Sequence, residues 1–109
     1  MRKTVDFLLY DWLDVERTLC TRARFSEHSR ETFDAVLDTC QRVAAERFAP
    51  FNRIADVEEP RQVGNAVVLP QSSVDAVRAY VDTGMYGAGH DVERGGLQLP
   101  FAVELAHIM

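Results

Sequence analysis

Asp11 and Asp14 stand three residues apart near the start of the chain, a spacing that puts two carboxylates on one helical face, as a general acid/base pair needs. Both interleave with an apolar stripe, however. Acidic side chains on the polar face of an amphipathic helix serve solubility, so neither is assigned a catalytic role. The three histidines, His28, His90 and His107, are widely dispersed. His90-Asp91 with Glu93 gathers three ligating groups in one short stretch, but no second His or Cys stands at a metal-binding spacing, and a surface loop cluster is the better reading. Cys20 and Cys40 also lack such spacing. Each sits among apolar helix positions, which predicts two buried free thiols in a reducing compartment.

Nucleophile motifs are absent: there is no Gly-x-Ser-x-Gly and no Cys with a nearby His. Gly84, Gly87 and Gly89 follow a helical pattern rather than a strand, so they do not spell a phosphate-binding fingerprint. Trp12 and the six phenylalanines are able to line an acyl pocket, yet aromatics at helical spacing are ordinary core residues. Read residue by residue, no active site closes, and Glu104 is not assigned as a base.

Composition bounds the remaining classes. The 109 residues suffice for one domain or part of one, and a hydrophobic fraction of 47% permits a packed core. A net charge of −5 argues against phosphate-driven nucleic-acid binding. Arg17, Arg22, Arg24 and Arg30 form a local basic run, diluted by Glu27 and Glu31, and read as a solvated connection between helices. No signal peptide is visible after Met1-Arg2-Lys3, and no run approaches the roughly 20 apolar residues of a membrane span, so a cytoplasmic location is expected.

The elements that must position these residues are helical. Val5, Leu8, Leu9, Trp12 and Leu13 predict a first helix over about residues 3–20, with Asp6, Asp11 and Asp14 facing water. Ser26 and Ser29 are candidate N-caps for a second helix, whose stripe runs through Phe33, Val36, Leu37, Cys40, Ala44, Phe48 and Phe51. Pro50 should kink it, and Ile54 and Ala55 continue the stripe beyond. Residues 63–69 form either a small β-hairpin around Gly64-Asn65 or an extended connection. Ser72 as N-cap with Asp75 three residues on predicts a third helix with a buried stripe of Val74, Val77 and Val81, ended by Gly84. A long glycine-punctuated loop follows, and Pro100 suits the first turn of a fourth helix that reaches Met109 apolar and uncapped. The expected fold is all-α, a bundle of about four helices, and the open last helix suggests that the fold continues.

Taken in order, these segments resemble the N-terminal helical domain of the acyl-CoA dehydrogenase family, and within it the long subgroup of 3-methylmercaptopropionyl-CoA dehydrogenases. Val5-Asp6-Phe7-Leu8-Leu9 through Leu13-Asp14-Val15-Glu16 resembles that subgroup's extra N-terminal helix. Arg47-Phe48-Ala49-Pro50-Phe51-Asn52-Arg53 with Asp56 resembles the segment closing the family's first long helix. Val67, Pro70, Val74, Ala79-Tyr80 and Gly84 follow in matching order, and Asp91-Val92-Glu93-Arg94-Gly95-Gly96-Leu97-Gln98-Leu99-Pro100 resembles the family's glycine-glycine loop with its leucine-proline. Met85-Tyr86 stands where the subgroup has tryptophan, Val92 replaces a proline, Arg94 a tyrosine and Gln98 a second loop glycine.

The resemblance implies residues 1–25 as the extra helix and 30–109 as the start of the domain. It implies a full-length flavoenzyme that uses FAD to oxidise an acyl-CoA thioester to its trans-2-enoyl form, in a homo-oligomer, with Gly95, Gly96, Leu99 and Pro100 on the substrate side. In the family a glutamate removes the α-proton while the flavin accepts a hydride. The flavin-binding β-domain and the glutamate-bearing helical bundle lie after this segment, so the resemblance implies no catalytic, cofactor-binding or metal residue within it. Two alternatives stand beside this reading: a stand-alone helical protein-interaction module, and a small acyl-binding helical protein.

Overall fold

A computed structural model describes residues 1–109. The chain is all-α, with 67% helix and 6% strand. It divides into two compact units, one made of Met1–Asp38 with Gly87–Met109 and the other of Thr39–Tyr86.

The first unit opens with α1 (Arg2–Asp6), which continues without a break into a wide π turn over Phe7–Trp12, where the Leu13 amide donates to the Leu8 carbonyl at 3.0 Å. The single helix expected over residues 3–20 is instead divided. Asp14 adopts φ 47°, ψ 53°, a left-handed conformation that short polar side chains tolerate, and α2 (Val15–Leu19) follows. Val5, Leu9 and Val15 are buried as the stripe predicts. Trp12 is not: the extra residue per π turn rotates it off the stripe, and it lies 70% exposed.

α3 (Arg30–Val43) begins at Ser29, whose carbonyl accepts the Phe33 amide at 3.1 Å while its own N–H donates to the Thr32 hydroxyl at 2.9 Å. Phe33, Val36, Leu37 and Cys40 are buried, Phe33 completely. Beyond Val43 the helix widens to a π turn (Ala44–Phe48), tightens to a 3₁₀ turn (Ala49–Phe51) and resumes as α4 (Asn52–Val57). Pro50 therefore kinks the helix, as expected. The two changes of pitch also shift the stripe, and Phe48, Phe51 and Ile54 stay more than a third exposed, contrary to the single continuous buried face expected.

Polar groups tie the first unit together. The Arg2 guanidinium reaches Asp6 at 2.8 Å, Asp34 at 3.0 Å and Asp38 at 2.7 Å. Tyr10 donates its hydroxyl to Asp34 at 2.8 Å, and Arg30 stacks 4.1 Å above the Tyr10 ring. Burial, then the bond to the Asp34 carboxylate, pushes the Tyr10 pKa well above its ordinary value. Asp6, expected to face water, is part of this network.

In the second unit, β1 (Arg61–Val63) and β2 (Ala66–Val68) pair antiparallel in the register Arg61 with Val68 and Val63 with Ala66. This is the hairpin alternative. Gly64, at φ 59°, supplies the positive φ that a two-residue turn needs at its first position. α5 (Gln71–Asp82) starts one residue earlier than the Ser72 cap predicts: Pro70 is the N-cap, and Asp75 accepts from the Gln71 side chain at 2.8 Å rather than closing a capping box. Its buried residue is Ala76, whereas Val77 and Val81 are about half exposed, so the expected valine stripe is not the packed face. Gly84 ends α5 at φ 76°, with its amide on the Val81 carbonyl at 2.9 Å. Both cysteines are free; Cys40 is buried and Cys20 half-buried, and desolvation raises both thiol pKa values, which disfavours the reactive thiolate.

Candidate functional site

The candidate loop, residues 87–100, belongs to the first unit and is closed by its own backbone. The Ala88 carbonyl, on a fully buried residue, accepts the amides of both Leu97 (3.0 Å) and Leu99 (3.1 Å). Gln98 donates its amide to the His90 carbonyl at 2.9 Å, and Gly96 donates to the Asp91 carbonyl at 3.1 Å. The chain reverses through a 3₁₀ turn at Val92–Arg94, ended by Gly95 at φ 82°. Gly96 is required for a different reason: a Cβ there would collide with the His90 carbonyl. Leu99 and Pro100 are buried, and Pro100 caps α6 (Phe101–Ile108), which buries Val103 and His107.

Three contacts fasten this loop to residues 24–28. Arg24 pairs with Asp91 at 2.6 Å and holds that carboxyl below the usual carboxylate range. The Gln98 side-chain amide donates to the Arg24 carbonyl, and the His28 ring lies 3.1 Å from the Gln98 carbonyl while stacking, tilted, 5.6 Å from Phe33. The arginine run is therefore not a solvated connection. Arg17 binds Asp14 at 2.6 Å, Arg24 binds Asp91, and Arg30 engages Tyr10 and Asp34.

Gln98 has φ 53°, the left-handed region that favours glycine, at the position where the resemblance implies one. The side-chain bond to Arg24 offsets part of that strain. Of the proposed substrate-side residues, Gly95 is exposed and Gly96 half-buried, while Leu99 and Pro100 point into packed structure and anchor the loop. The Glu104 carboxylate lies against Gly89, where a Cβ would meet it. His90, Asp91 and Glu93 do not converge: Asp91 is committed to Arg24, and no three His, Cys, Asp or Glu side chains come within reach of one ion. The left-handed Asp14 likewise takes its carboxylate out of helical spacing with Asp11.

Sequence reasoning missed an apolar groove of about 270 Å³ between Leu8, Leu9 and Leu13 of the first helix and Phe101, Leu105 and Met109 around α6. The two stripes that form it were legible, but their meeting was not. The groove is lined entirely by apolar side chains and has no donor for a pyrophosphate, so it does not fit a flavin dinucleotide. No helix is long and apolar enough to cross a membrane.

No family model matches the chain, and no solved structure matches it. The chain is similar to 3-methylmercaptopropionyl-CoA dehydrogenase of Ruegeria pomeroyi, with 34% identity over 82 residues. That match covers 75% of this chain and 14% of the relative, so the chain spans a small part of the curated relative's length.

Proposed function

We propose that residues 1–109 are the N-terminal helical segment of an FAD-dependent, acyl-CoA dehydrogenase-like protein whose full length performs α,β-dehydrogenation of an acyl-CoA thioester. The 34% identity over 82 residues to a protein named for that activity carries this reading. Residues 1–25 are its extra N-terminal helix and residues 30–109 the start of its helical domain. FAD, when bound by the full-length protein, supplies the hydride acceptor, and the acyl-CoA is its substrate. This segment contributes no catalytic base.

Its part in substrate binding is positional. The loop carrying Gly95, Gly96, Leu99 and Pro100 faces the substrate side, with buried Leu99 and Pro100 holding the backbone of Gly95 and Gly96 in place. We place the parent protein in the cytoplasm as a homo-oligomer.

The test is to purify the natural protein carrying this segment, record its flavin absorbance, and follow acyl-CoA-dependent reduction of an electron-accepting dye. Bound flavin with dye reduction is expected. A purified protein with neither overturns the reading, as does firm flavin binding by residues 1–109 alone. One observation favours a second reading, a stand-alone helical interaction module: Leu13, Phe101, Leu105 and Met109 leave the groove open on one side, each 44% exposed or more. A cooperatively folding, monodisperse dimer of this chain would support that module, and a partly molten chain would eliminate it.

A further inference from the structure

A second cavity, of about 220 Å³, lies within the Thr39–Tyr86 unit, where the kinked helix packs against the start of α5. Its lining combines two kinds of surface. Phe48, Phe51 and Val77 give it apolar walls, and all three are at least a third exposed, so they are not consumed by core packing. Arg47, Asn52, Ser72 and Ser73 supply the polar lining, with no carboxylate among the lining residues to neutralise the guanidinium.

The chemistry of this lining is that of a donor set. The Ser72 hydroxyl is buried and has no hydrogen-bond partner, a state that costs a folded protein stability unless something else satisfies the group. The helix start beside it is uncapped: Pro70 has no side-chain donor or acceptor, and the first helical bonds are made by Ser73 and Val74 to the Pro70 carbonyl. The positive end of the α5 dipole thus adds to the charge of Arg47. Every charged or dipolar feature of the cavity favours an anion, and its remaining walls favour hydrocarbon.

We propose that this cavity binds a small amphiphilic oxyanion, a carboxylate or phosphate monoester on a short apolar stem, with Arg47 and the Ser72 hydroxyl on the head group and Phe48, Phe51 and Val77 against the stem. The site is independent of the dehydrogenase reading, and its test uses the 109-residue chain as it stands.

Backbone amide signals are followed by NMR during titration with hexanoate, hexanol and inorganic phosphate. Hexanoate shifts the Ser72 and Ser73 signals saturably, whereas hexanol, lacking the charge, and phosphate, lacking the stem, bind at least about tenfold more weakly. Arg47→Gln weakens hexanoate about tenfold and leaves hexanol unchanged, while Ser72→Ala weakens hexanoate by a smaller factor. Circular dichroism checks that each variant keeps its helices; if Arg47→Gln does not fold, Ser72→Ala decides. The proposal is overturned if hexanoate produces no saturable shift, if hexanol binds as tightly as hexanoate, or if folded variants bind hexanoate unchanged. Tighter binding of bare phosphate than of hexanoate overturns the amphiphile assignment as well.

Discussion

The unit built from Met1–Asp38 and Gly87–Met109 buries Val5, Leu9, Val15, Phe33, Leu99 and Val103 among others, whereas the Thr39–Tyr86 unit buries only Cys40, Ala76 and Met85 of its apolar side chains. Both contain helices with clean apolar stripes. The difference lies in what meets those stripes. In the first unit α1, α3, α6 and the closed loop supply side chains that fill one another's gaps, and an ion network around Arg2 and Asp34 fixes their approach. In the second, changes of pitch at Ala44–Phe51 rotate the aromatic residues outward, and the hairpin that follows is exposed on every residue. Periodicity reports which residues share a face; it does not report whether that face is covered.

The sharpest way to break this comparison is to remove one phenylalanine from each unit. Phe33→Ala empties a fully buried site and is expected to cost about 3–5 kcal/mol in urea denaturation. Phe48→Ala, at a side chain already 39% exposed, is expected to cost less than about 1 kcal/mol. Equal losses would show that the two units are packed alike.

Glycines give the next contrast. Gly96→Ala forces a Cβ into the His90 carbonyl, and overpacking of this kind is expected to cost about 1–3 kcal/mol. Amide exchange at Leu97 and Leu99 should quicken with it, since both bond to Ala88 through that loop. Gly64→Ala in the other unit meets open space and pays only for its positive φ, about 1 kcal/mol. If Gly64→Ala proves the more damaging, the closed loop is softer than its hydrogen bonds indicate.

A pH titration sharpens the polar side of the comparison. The folded protein holds the Tyr10 proton above the ordinary value of 10.0, so the native state binds more protons than the unfolded state at alkaline pH. The stability this group contributes is therefore complete below about pH 10 and is lost as pH rises through the folded value. Tyr10→Phe should flatten that alkaline slope while leaving the exposed hairpin's amide exchange untouched. An unchanged slope would remove Tyr10 from the network that ties the first unit together.

The smallest effect is expected at the exposed Arg24–Asp91 pair. Because Asp91 is held below its ordinary value, its contribution is present at neutral pH and disappears on acidification through the carboxylate range. Asp91→Asn should remove that acid dependence, and high salt should erase the difference between variant and parent. A salt-independent loss would mean that Asp91 acts through the backbone turn rather than through its charge.

Much of this fold was legible before any coordinates. The kink at Pro50, the hairpin at Gly64-Asn65, the stop at Gly84 and the helix after Pro100 each rest on the local chemistry of one or two residues, and each is observed. What escaped the sequence was non-local or a matter of pitch. Nothing near Asp14 signals a left-handed break, and nothing near Phe7 or Ala44 signals a π turn, so Trp12 and Phe48 were assigned to faces they leave. The Arg24–Asp91 pair joins residues 67 positions apart, beyond the reach of any spacing rule. The candidate loop was found through its glycines, but the constraint at Gly96, the strain at Gln98 and the burial of Leu99 are properties of its closed form.

The π turn at Ala44–Phe48 has a consequence for how this helix tolerates changes in length. A π turn holds one residue more than an α turn between flanking segments whose alignment it preserves. Deleting Ala45 lets the turn relax to ordinary α geometry while Arg30–Val43 and Asn52–Val57 keep their faces. The same deletion inside Arg30–Val43 would rotate everything beyond it by about 100°. The helix is written with one spare letter, and a shortened relative of this protein would drop that residue first.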